Sequence, residues 1–340
     1  MIRSRHDTSD AARRPAPLAV VLAFACVYVM WGLTYLAIRV AVQTLPPLTM
    51  AGVRFVVAGG LMYAWLWARG TPPPTRTHWR SAALVGGLML LGGNGGVVWA
   101  ETLVHSGIAA LLVATVPLWL VLLNAVRPGG VRPNGAEIGG LLLGFAGVWA
   151  LVRPAAASAE QAVHPVGAGL LLFASLSWAV GSLYSRHAPL PKSALLGTAM
   201  EMLAGGGLLL VGGGVSGEWA RLEWTRFSIP SLAALAYLIV FGSLIAFTAY
   251  IWLLRVCTPA QVGTYAYVNP GVAVFCGWAV LDEPLSSATF AALVLIMLAV
   301  VLITKYGRRA PAQAARVPGI RRADAMPSSR ADVRHEPADG

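Results

Sequence analysis

Residues 258–284 read TPAQVGTYAYVNPGVAVFCGWAVLDEP. This stretch combines an apolar helix with polar groups at Tyr265 and Asn269, a proline at Pro270 and an acidic turn at its end. Because such polar groups are costly against lipid, we expect them to face a cavity or another helix. The first half of the chain has a partner stretch at 105–131, in which Pro117 takes the place of Pro270. This pairing indicates a fold built from two similar halves within a membrane.

The composition predicts an all-α integral membrane protein. Of the 340 residues, 57% are hydrophobic and 11% are charged, whereas a soluble domain carries about 25% charged residues. The apolar residues come in ten blocks of roughly 20, which is the length that crosses a bilayer as a helix. The predicted transmembrane spans are residues 18–38, 48–68, 80–99, 104–125, 136–152, 166–185, 194–214, 230–250, 259–280 and 287–304.

The distribution of Lys and Arg predicts the orientation of the spans. With the N-terminus inside, twenty of these residues fall on the inner side and four on the outer side, while Arg54 lies within a span. Both termini are therefore expected in the cytoplasm. Membrane orientation accounts for the net charge of +11, so no nucleic acid is expected as a partner. The polar tails, 1–16 and 305–340, are predicted to be disordered.

An internal repeat relates the two halves. Trp31 precedes Arg39 by eight residues, and Trp178 precedes Arg186 by eight. Because each repeat has five spans, an odd number, the second copy enters the membrane from the opposite side. Inverted repeats of this kind are typical of secondary transporters, whose substrate site lies near the midplane between the repeats. The predicted organisation is a first repeat at 17–152, a linker at 153–165 and a second repeat at 166–304.

Four motifs resemble the EamA family of the drug/metabolite transporter (DMT) superfamily. They are WGLTYLAIR at 31–39, MAGVRFVVAGG at 50–60, WAETLVHSGIAALLVATVPLWLVLL at 99–123 and GSLIAFTAYIWLLRVCTPAQVGTYAYVNPGVAVFCGWAVLDEPLS at 242–286. The resemblance covers about residues 17–305 and is strongest to bacterial inner-membrane metabolite exporters. It implies ten transmembrane helices with both ends cytoplasmic, and export of amino acids, drugs or related small solutes. The acidic turn after span 9 has no counterpart after span 4, so the halves differ there.

Two charges lie inside apolar spans at equivalent positions of the repeats, Arg54 and Glu201. An ionisable residue within the membrane is a candidate for contact with substrate or a coupling ion. The alternatives are a structural ion pair between the two residues, or extension of each side chain to the lipid headgroups. Glu201 and Glu101 are the candidate proton carriers, although the position of Glu101 at the outer end of span 3 favours a solvated loop carboxylate.

Aromatic and polar side chains complete the predicted cavity. Tyr28, Trp31 and Tyr35 follow one stripe of span 1, where a position away from the span end favours a cavity over an interfacial belt. The glycine run around Asn94 predicts a hinge or an unwound segment near the site. The predicted cavity residues are Tyr28, Trp31, Tyr35, Arg54, Asn94, Trp99, Trp178, Ser182, Glu201, Tyr250, Tyr265 and Asn269. Pro117 and Pro270 each remove an interior hydrogen bond and predict helix kinks.

The predicted function is a secondary transporter that exports small metabolites by alternating access. Its expected partners are a small-molecule solute and membrane lipids, and proton coupling and homodimer formation are left open. The sequence has no GxxxxGK[ST] motif for ATP and neither HExxH nor GxSxG, so no cofactor, metal or catalytic residue is expected. A lipid or lipid-linked flippase is the alternative function, and an intramembrane enzyme is a weaker one.

Overall fold

The computed structural model of the protein describes residues 16–127, 132–152, 163–257 and 265–306. Most of the predicted tails and of the predicted linker, and the beginning of span 9, lie outside these residues. Within them, every element of regular secondary structure is helical.

Ten helices follow one another along the described residues, and each corresponds to one predicted span. They are α1 Pro17–Ala41, α2 Pro47–Ala68, α3 Arg76–Ala100, α4 Ser106–Val126, α5 Gly135–Val152, α6 Pro165–Ser185, α7 Ala194–Val215, α8 in the three consecutive segments Ile229–Tyr237, Leu238–Ile245 and Ala246–Val256, α9 Tyr265–Leu281, and α10 Ser287–Tyr306. Among the described residues, nine of them are long and apolar enough to cross a membrane, and the apolar part of α9 is shorter. The all-α membrane fold is confirmed.

The main contacts between helices occur in pairs that are equivalent in the two repeats. In the first repeat, α1 packs against α8 and α9, and in the second, α6 packs against α3 and α4. Helix α2 packs against its equivalent α7, and α5 packs against its equivalent α10. Exchanging α1–α5 with α6–α10 therefore maps these contacts onto one another. Such an exchange is what two interlocked inverted repeats require.

Glycines allow α2 and α7 to approach closely. A Cβ atom on Gly206 would lie 2.9 Å from the Val56 amide nitrogen, and a Cβ atom on Gly59 would lie 2.9 Å from the Ala199 carbonyl oxygen. In lipid, where no hydrophobic effect draws helices together, small residues permit the close packing that holds them. The α2–α7 pair therefore forms a tightly packed centre between the repeats.

Two π-helical segments interrupt equivalent helices, Gly87–Gly95 in α3 and Leu238–Ile245 in α8. A side chain from the other repeat bonds a carbonyl oxygen in each: the Ser177 hydroxyl donates to Leu88 at 2.7 Å, and the Trp31 indole donates to Gly242 at 3.0 Å. Because π segments within helices occur frequently at functional sites, this paired irregularity marks the interface between the repeats as a place to look for function.

The two prolines have different surroundings. Helix α4 is interrupted between Val113 and Val116, just before Pro117, and the Thr115 hydroxyl donates to the Leu112 carbonyl at 2.6 Å. Pro270 lies inside α9, which continues as one helix on both sides.

Carboxylates from the second repeat bond the first turns of two helices in the first repeat. Glu218 accepts from the amides of Leu48 and Thr49 at the start of α2, at 3.0 and 2.8 Å, and also from the Thr49 hydroxyl. Glu283 plays the same role at the start of α4. All these groups lie at the end of the bundle where α1 ends and α2 begins, which is the predicted outer end. An anionic acceptor is favourable there because the first amides of a helix have no partner within the helix.

We expect Glu218→Ala to reduce the free energy of unfolding by about 2 kcal/mol, because three donors lose a charged acceptor. The change is measured as a lower melting temperature of the purified protein in detergent. Glu223→Ala is the control, because Glu223 lies in the same connection with an exposed side chain paired to Arg226. That variant should change stability by less than about 0.5 kcal/mol. Equal losses in the two variants would contradict the capping role.

Candidate functional site

An aromatic cluster joins the repeats. The ring of Trp31 lies 5.2 Å from Phe247, 5.1 Å from Tyr250 and 5.3 Å from Tyr265, measured between centroids. The Tyr250 and Tyr265 rings meet edge to face at 5.9 Å. These edge-to-face and tilted arrangements are those that aromatic pairs prefer. The structure thus brings together Trp31, Tyr250 and Tyr265, all predicted cavity residues, and adds Phe247, which the sequence analysis missed.

Asn269 links α9 to α1 by hydrogen bonds beside this aromatic cluster. Its side chain is buried, and with the amide oriented to satisfy its neighbours, the nitrogen donates to the carbonyls of Tyr28 and Tyr265, both at 3.2 Å. The Tyr28 ring lies 5.6 Å from Phe24 on the same helix. Asn269 therefore bonds main-chain carbonyls of both repeats, one on α1 and one on α9.

Glu201 lines a pocket between the repeats. The pocket is open to its surroundings, and the roughly 280 Å³ of space in it includes the open space at its mouth. Its walls include Val85, Met89, Leu90, Trp178, Thr198, Glu201 and Phe247. Within the described residues, the Glu201 carboxylate has no hydrogen-bond or ion-pair partner. A carboxylate that faces a largely apolar pocket is available to a ligand or a proton.

Three other predicted residues lie in separate surroundings. Asn94 lies in the π segment of α3, and its carboxamide oxygen is buried with no partner among the described residues. The Ser182 hydroxyl bonds the Trp178 carbonyl of its own helix at 2.7 Å. Trp99 is 47% exposed near the end of α3.

Arg54 is buried at the interface of the repeats, with 4% of its surface exposed. Its Nε donates to the Ser243 hydroxyl at 2.9 Å, and its guanidinium lies over the Phe55 ring at 4.7 Å. Its Nη1 is buried and has no hydrogen-bond partner in the described part of the chain. Ser243 belongs to the π segment of α8. The guanidinium of Arg54, in the first repeat, therefore bonds the irregular part of a helix in the second repeat.

Glu101 is completely buried, and the interpretation of this residue as a solvated loop carboxylate is wrong. The last turn of α3 packs against α2, so the residue that follows this turn is enclosed by the bundle. Both carboxylate oxygens are buried without a partner among the described residues. The Arg39 guanidinium donates to the main-chain carbonyl of Glu101, which fixes the backbone and leaves the carboxylate unbonded.

The groups around Glu101 form what is here called the buried charge cluster: Arg39, Arg54, Glu101, Tyr35 and Tyr237. Burial raises the pKa of the Glu101 carboxyl well above its usual range, and the charge of Glu283 raises it further, while Arg39 and Arg54 oppose the shift. Tyr35 lies within electrostatic range of Glu101. Tyr237 lies within range of Arg54 and donates to the Met30 carbonyl at 3.1 Å. The cluster is therefore polar and incompletely bonded, with Arg54 and Glu101 buried and the other three side chains half-buried.

Arg54 and Glu201 do not form an ion pair in the described residues, which removes the pairing hypothesis. Each lies seven residues after the start of its helix, but α2 and α7 start at opposite ends of the bundle. At 1.5 Å per residue, their equivalent positions are about 10 Å apart along the helix axes. The two charges consequently belong to separate sites.

Ser243, Tyr237 and Phe247 were not predicted from the sequence. All three lie on α8, where only Tyr250 was predicted to line the cavity. A signal was present, because α8 is the repeat equivalent of α3, whose glycine run predicted an irregular segment near the site. Serine and aromatic residues in the equivalent segment were therefore candidates on the same grounds.

Comparisons with known proteins agree with this architecture. Residues 18–153 and 165–305 each match the model of the EamA-like transporter family. The chain is 43% identical over 281 residues to the inner membrane transporter YedA of Escherichia coli (strain K12), which covers 82% of this chain and 88% of YedA. It is 24% identical over 299 residues to the transporter YvbV of Bacillus subtilis (strain 168), covering 84% and 90%. One solved crystal structure, 21% identical, superposes with a TM-score of 0.58 over 86% of this chain and 99% of that one, which shows a shared fold.

Proposed function

The chain belongs to the EamA-like transporter family as a multi-pass inner membrane protein, and from that premise we propose that it exports small metabolites by alternating access. The observation that supports this most is the exchange symmetry of the helix contacts around a polar interface. Two similar halves of opposite orientation can exchange conformations, and the exchange closes one face while it opens the other.

The proposed direction is export from the cytoplasm. It rests on the resemblance to metabolite exporters, and the positive-inside count supports a cytoplasmic location of both termini. Our proposed substrates are amino acids or related compounds, with drugs as a further class. An aromatic cluster beside a few buried charges suits solutes that combine an apolar part with a polar head.

The proposed energy source is a proton gradient, with Glu201 as the first candidate carrier and Glu101 as the second. Both carboxylates lack hydrogen-bond partners within the described residues, and they lie at different depths of the bundle. A buried carboxylate is costly when charged, so its protonation can be linked to the conformation that exposes it.

The test is release of labelled amino acids from liposomes that contain the purified protein, with and without an imposed pH gradient. For a proton-linked exporter, we expect the gradient to raise the release rate about tenfold, which corresponds to about 1.4 kcal/mol in activation free energy. Glu201→Gln should remove the stimulation but leave downhill release. Glu223→Gln, at an exposed carboxylate, is the matched control and should behave as the unmodified protein does.

The other outcomes separate the alternatives. Release that ignores the gradient in the unmodified protein would favour a facilitator and leave Glu201 with a structural role. No release of any tested amino acid or drug, together with movement of labelled lipid between leaflets, would replace the proposal with a flippase.

A further inference from the structure

Two carboxylates join the repeats at the outer end of the bundle. Glu218, in the connection between α7 and α8, accepts from two amides and a hydroxyl in the first turn of α2. Glu283, in the connection between α9 and α10, accepts from two amides and a hydroxyl in the first turn of α4. Both carboxylates belong to the second repeat and all six donors to the first. These two sets of bonds are called the outer latches, and separating the repeats at this end must break them.

Two further bonds join the repeats at the same end. The Ser228 amide donates to the Thr44 hydroxyl at 3.2 Å, and the Ser231 hydroxyl donates to the Val40 carbonyl at 2.9 Å. Both run between the start of α8 and the end of α1. The starts of α2, α4 and α8 are thus each bonded to the opposite repeat at the outer end.

The inner end has no equivalent of the outer latches. Exchange of the repeats relates the two latch connections to residues 69–75, RGTPPPT, and 127–134, RPGGVRPN, which contain no Asp or Glu. The carboxylate that follows them, Glu137, accepts from the Asn134 amide in the first turn of its own helix at 2.7 Å. Asn134 also bonds the opposite repeat, where its carboxamide donates to the Tyr306 carbonyl at 3.1 Å, but this bond is neutral and exposed. The difference between the two ends is therefore written in the sequence.

The pocket at Glu201 lies in the inner half of the bundle. Glu201 lies seven residues after the start of α7, and Trp178 lies seven residues before the end of α6, both counted from the inner end. At 1.5 Å per residue, each is about 10 Å from that end in a helix about 30 Å long. The open pocket is thus on the side without latches, while the outer end is bonded shut.

We propose that the outer latches are the outer gate of the carrier: they hold the resting protein closed to the outside and open to the cytoplasm, and they break when the solute leaves outward. This inference rests on the proposed transport function and names the residues that regulate access to its site. Hydrogen bonds to a carboxylate are stronger than neutral ones, so the latches favour the state that is closed outside. When the outer face opens, water reaches the freed carboxylates and amides, which limits the cost of opening.

The test measures the distance across each end of the full-length protein by double electron–electron resonance. Spin labels on Gln43→Cys and Thr225→Cys span the outer end, and labels on Thr77→Cys and Lys192→Cys span the inner end, all at exposed positions. The three native cysteines are replaced by alanine: Cys26, Cys257 and Cys276. Without solute, we expect one dominant distance across the outer end, which corresponds to the closed gate.

Weakening the latches should open the outer end. Glu218→Gln and Glu283→Gln each keep one acceptor oxygen but lose the charge. We expect each variant to raise the population with a longer outer distance about tenfold, and the double variant to make it the major one. The inner distance should shorten in the same proportion, because alternating access moves the two ends in opposite directions. Glu223→Gln, an exposed carboxylate paired with Arg226, is the control and should change neither distance.

The outcomes separate a gate from a structural role. A merely structural role would broaden the distances at both ends, and that result would overturn the inference, as would an unchanged outer distance in the double variant. The labelled protein with both latches intact supplies a test that needs no latch variant to fold, because a dominant population open at the outer end would also overturn the inference.

Failure of this inference is distinguishable from failure of the proposed function. Solute flux in liposomes, together with an outer distance that does not respond to the latch variants, would keep the transporter and overturn the gate. Opening of the outer end with closing of the inner end, but no flux of any tested solute, would keep the gate and overturn the proposed transport.

Discussion

Replacing Gly86 by valine is expected to cost about 3–4 kcal/mol of stability and to lower the yield of folded protein sharply. A Cβ atom at this position would lie 2.7 Å from the Glu201 carbonyl oxygen and 2.8 Å from the Gly205 amide nitrogen. Both obstacles are main-chain atoms of α7, which cannot rotate away as a side chain can. The variant must therefore separate α3 from α7 at the centre of the bundle.

The matched control is Gly207→Val on α7, two residues from Gly205. A Cβ atom on Gly207 would meet no atom within 4 Å. The two variants are compared by yield and melting temperature in the same detergent, where we expect Gly86→Val to unfold about 10 °C lower. A similar melting temperature for the two variants would contradict the close α3–α7 contact.

Glu283→Ala is expected to cost about 3–5 kcal/mol of stability, which is more than the loss expected for Glu218→Ala. Glu283 accepts from the amides of Ser106 and Gly107 at 2.8 and 3.1 Å, and from the Ser106 hydroxyl at 2.9 Å. All three donors are buried, so they remain unsatisfied when the acceptor is removed. A Cβ atom on Gly277 would collide with the same carboxylate, so Gly277 is needed to admit it.

The measurement is again the melting temperature, together with the transport rate of whatever folded protein remains. Glu283→Gln should fall between the alanine variant and the unmodified protein, because glutamine keeps one acceptor oxygen but loses the charge. Glu223→Ala serves as the control. A Glu283→Ala protein as stable as the control would show that the α9–α10 connection does not hold the start of α4.

The helices were predictable because each apolar block is long enough to cross a bilayer, and a lipid-exposed segment of that length satisfies its backbone only as a helix or within a closed barrel. The packing of α1 against α8 and α9 was not predictable. The sequence similarity of the two repeats shows which positions are equivalent, but it does not show which helices of one repeat contact which helices of the other. The capping role of Glu218 was equally hidden, since its partners Leu48 and Thr49 are about 170 residues away in sequence.

The location of Glu101 shows why burial at a helix end escapes sequence reasoning. The prediction for Glu101 used only its position beside a span end, and that position does not reveal that the last turn of α3 packs against α2. A charge next to a predicted span end therefore looked solvated, although the bundle encloses it completely. Arg54 was identified correctly as a charge within the bundle, because its distance from either span end is visible in the sequence.

Solute counterflow tests the central claim, alternating access between two inverted repeats, most directly. Liposomes containing the protein are loaded with an unlabelled amino acid that stabilises it, and a trace of the labelled form is added outside. An alternating-access carrier should transiently raise the concentration of label inside the liposomes above that outside. The unlabelled solute inside competes with the label for the binding site and so slows the exit of the label. Entry that only equilibrates, at a rate independent of the internal solute, would indicate a channel and contradict the account. Entry no faster than in protein-free liposomes, for every amino acid that binds, would contradict transport itself.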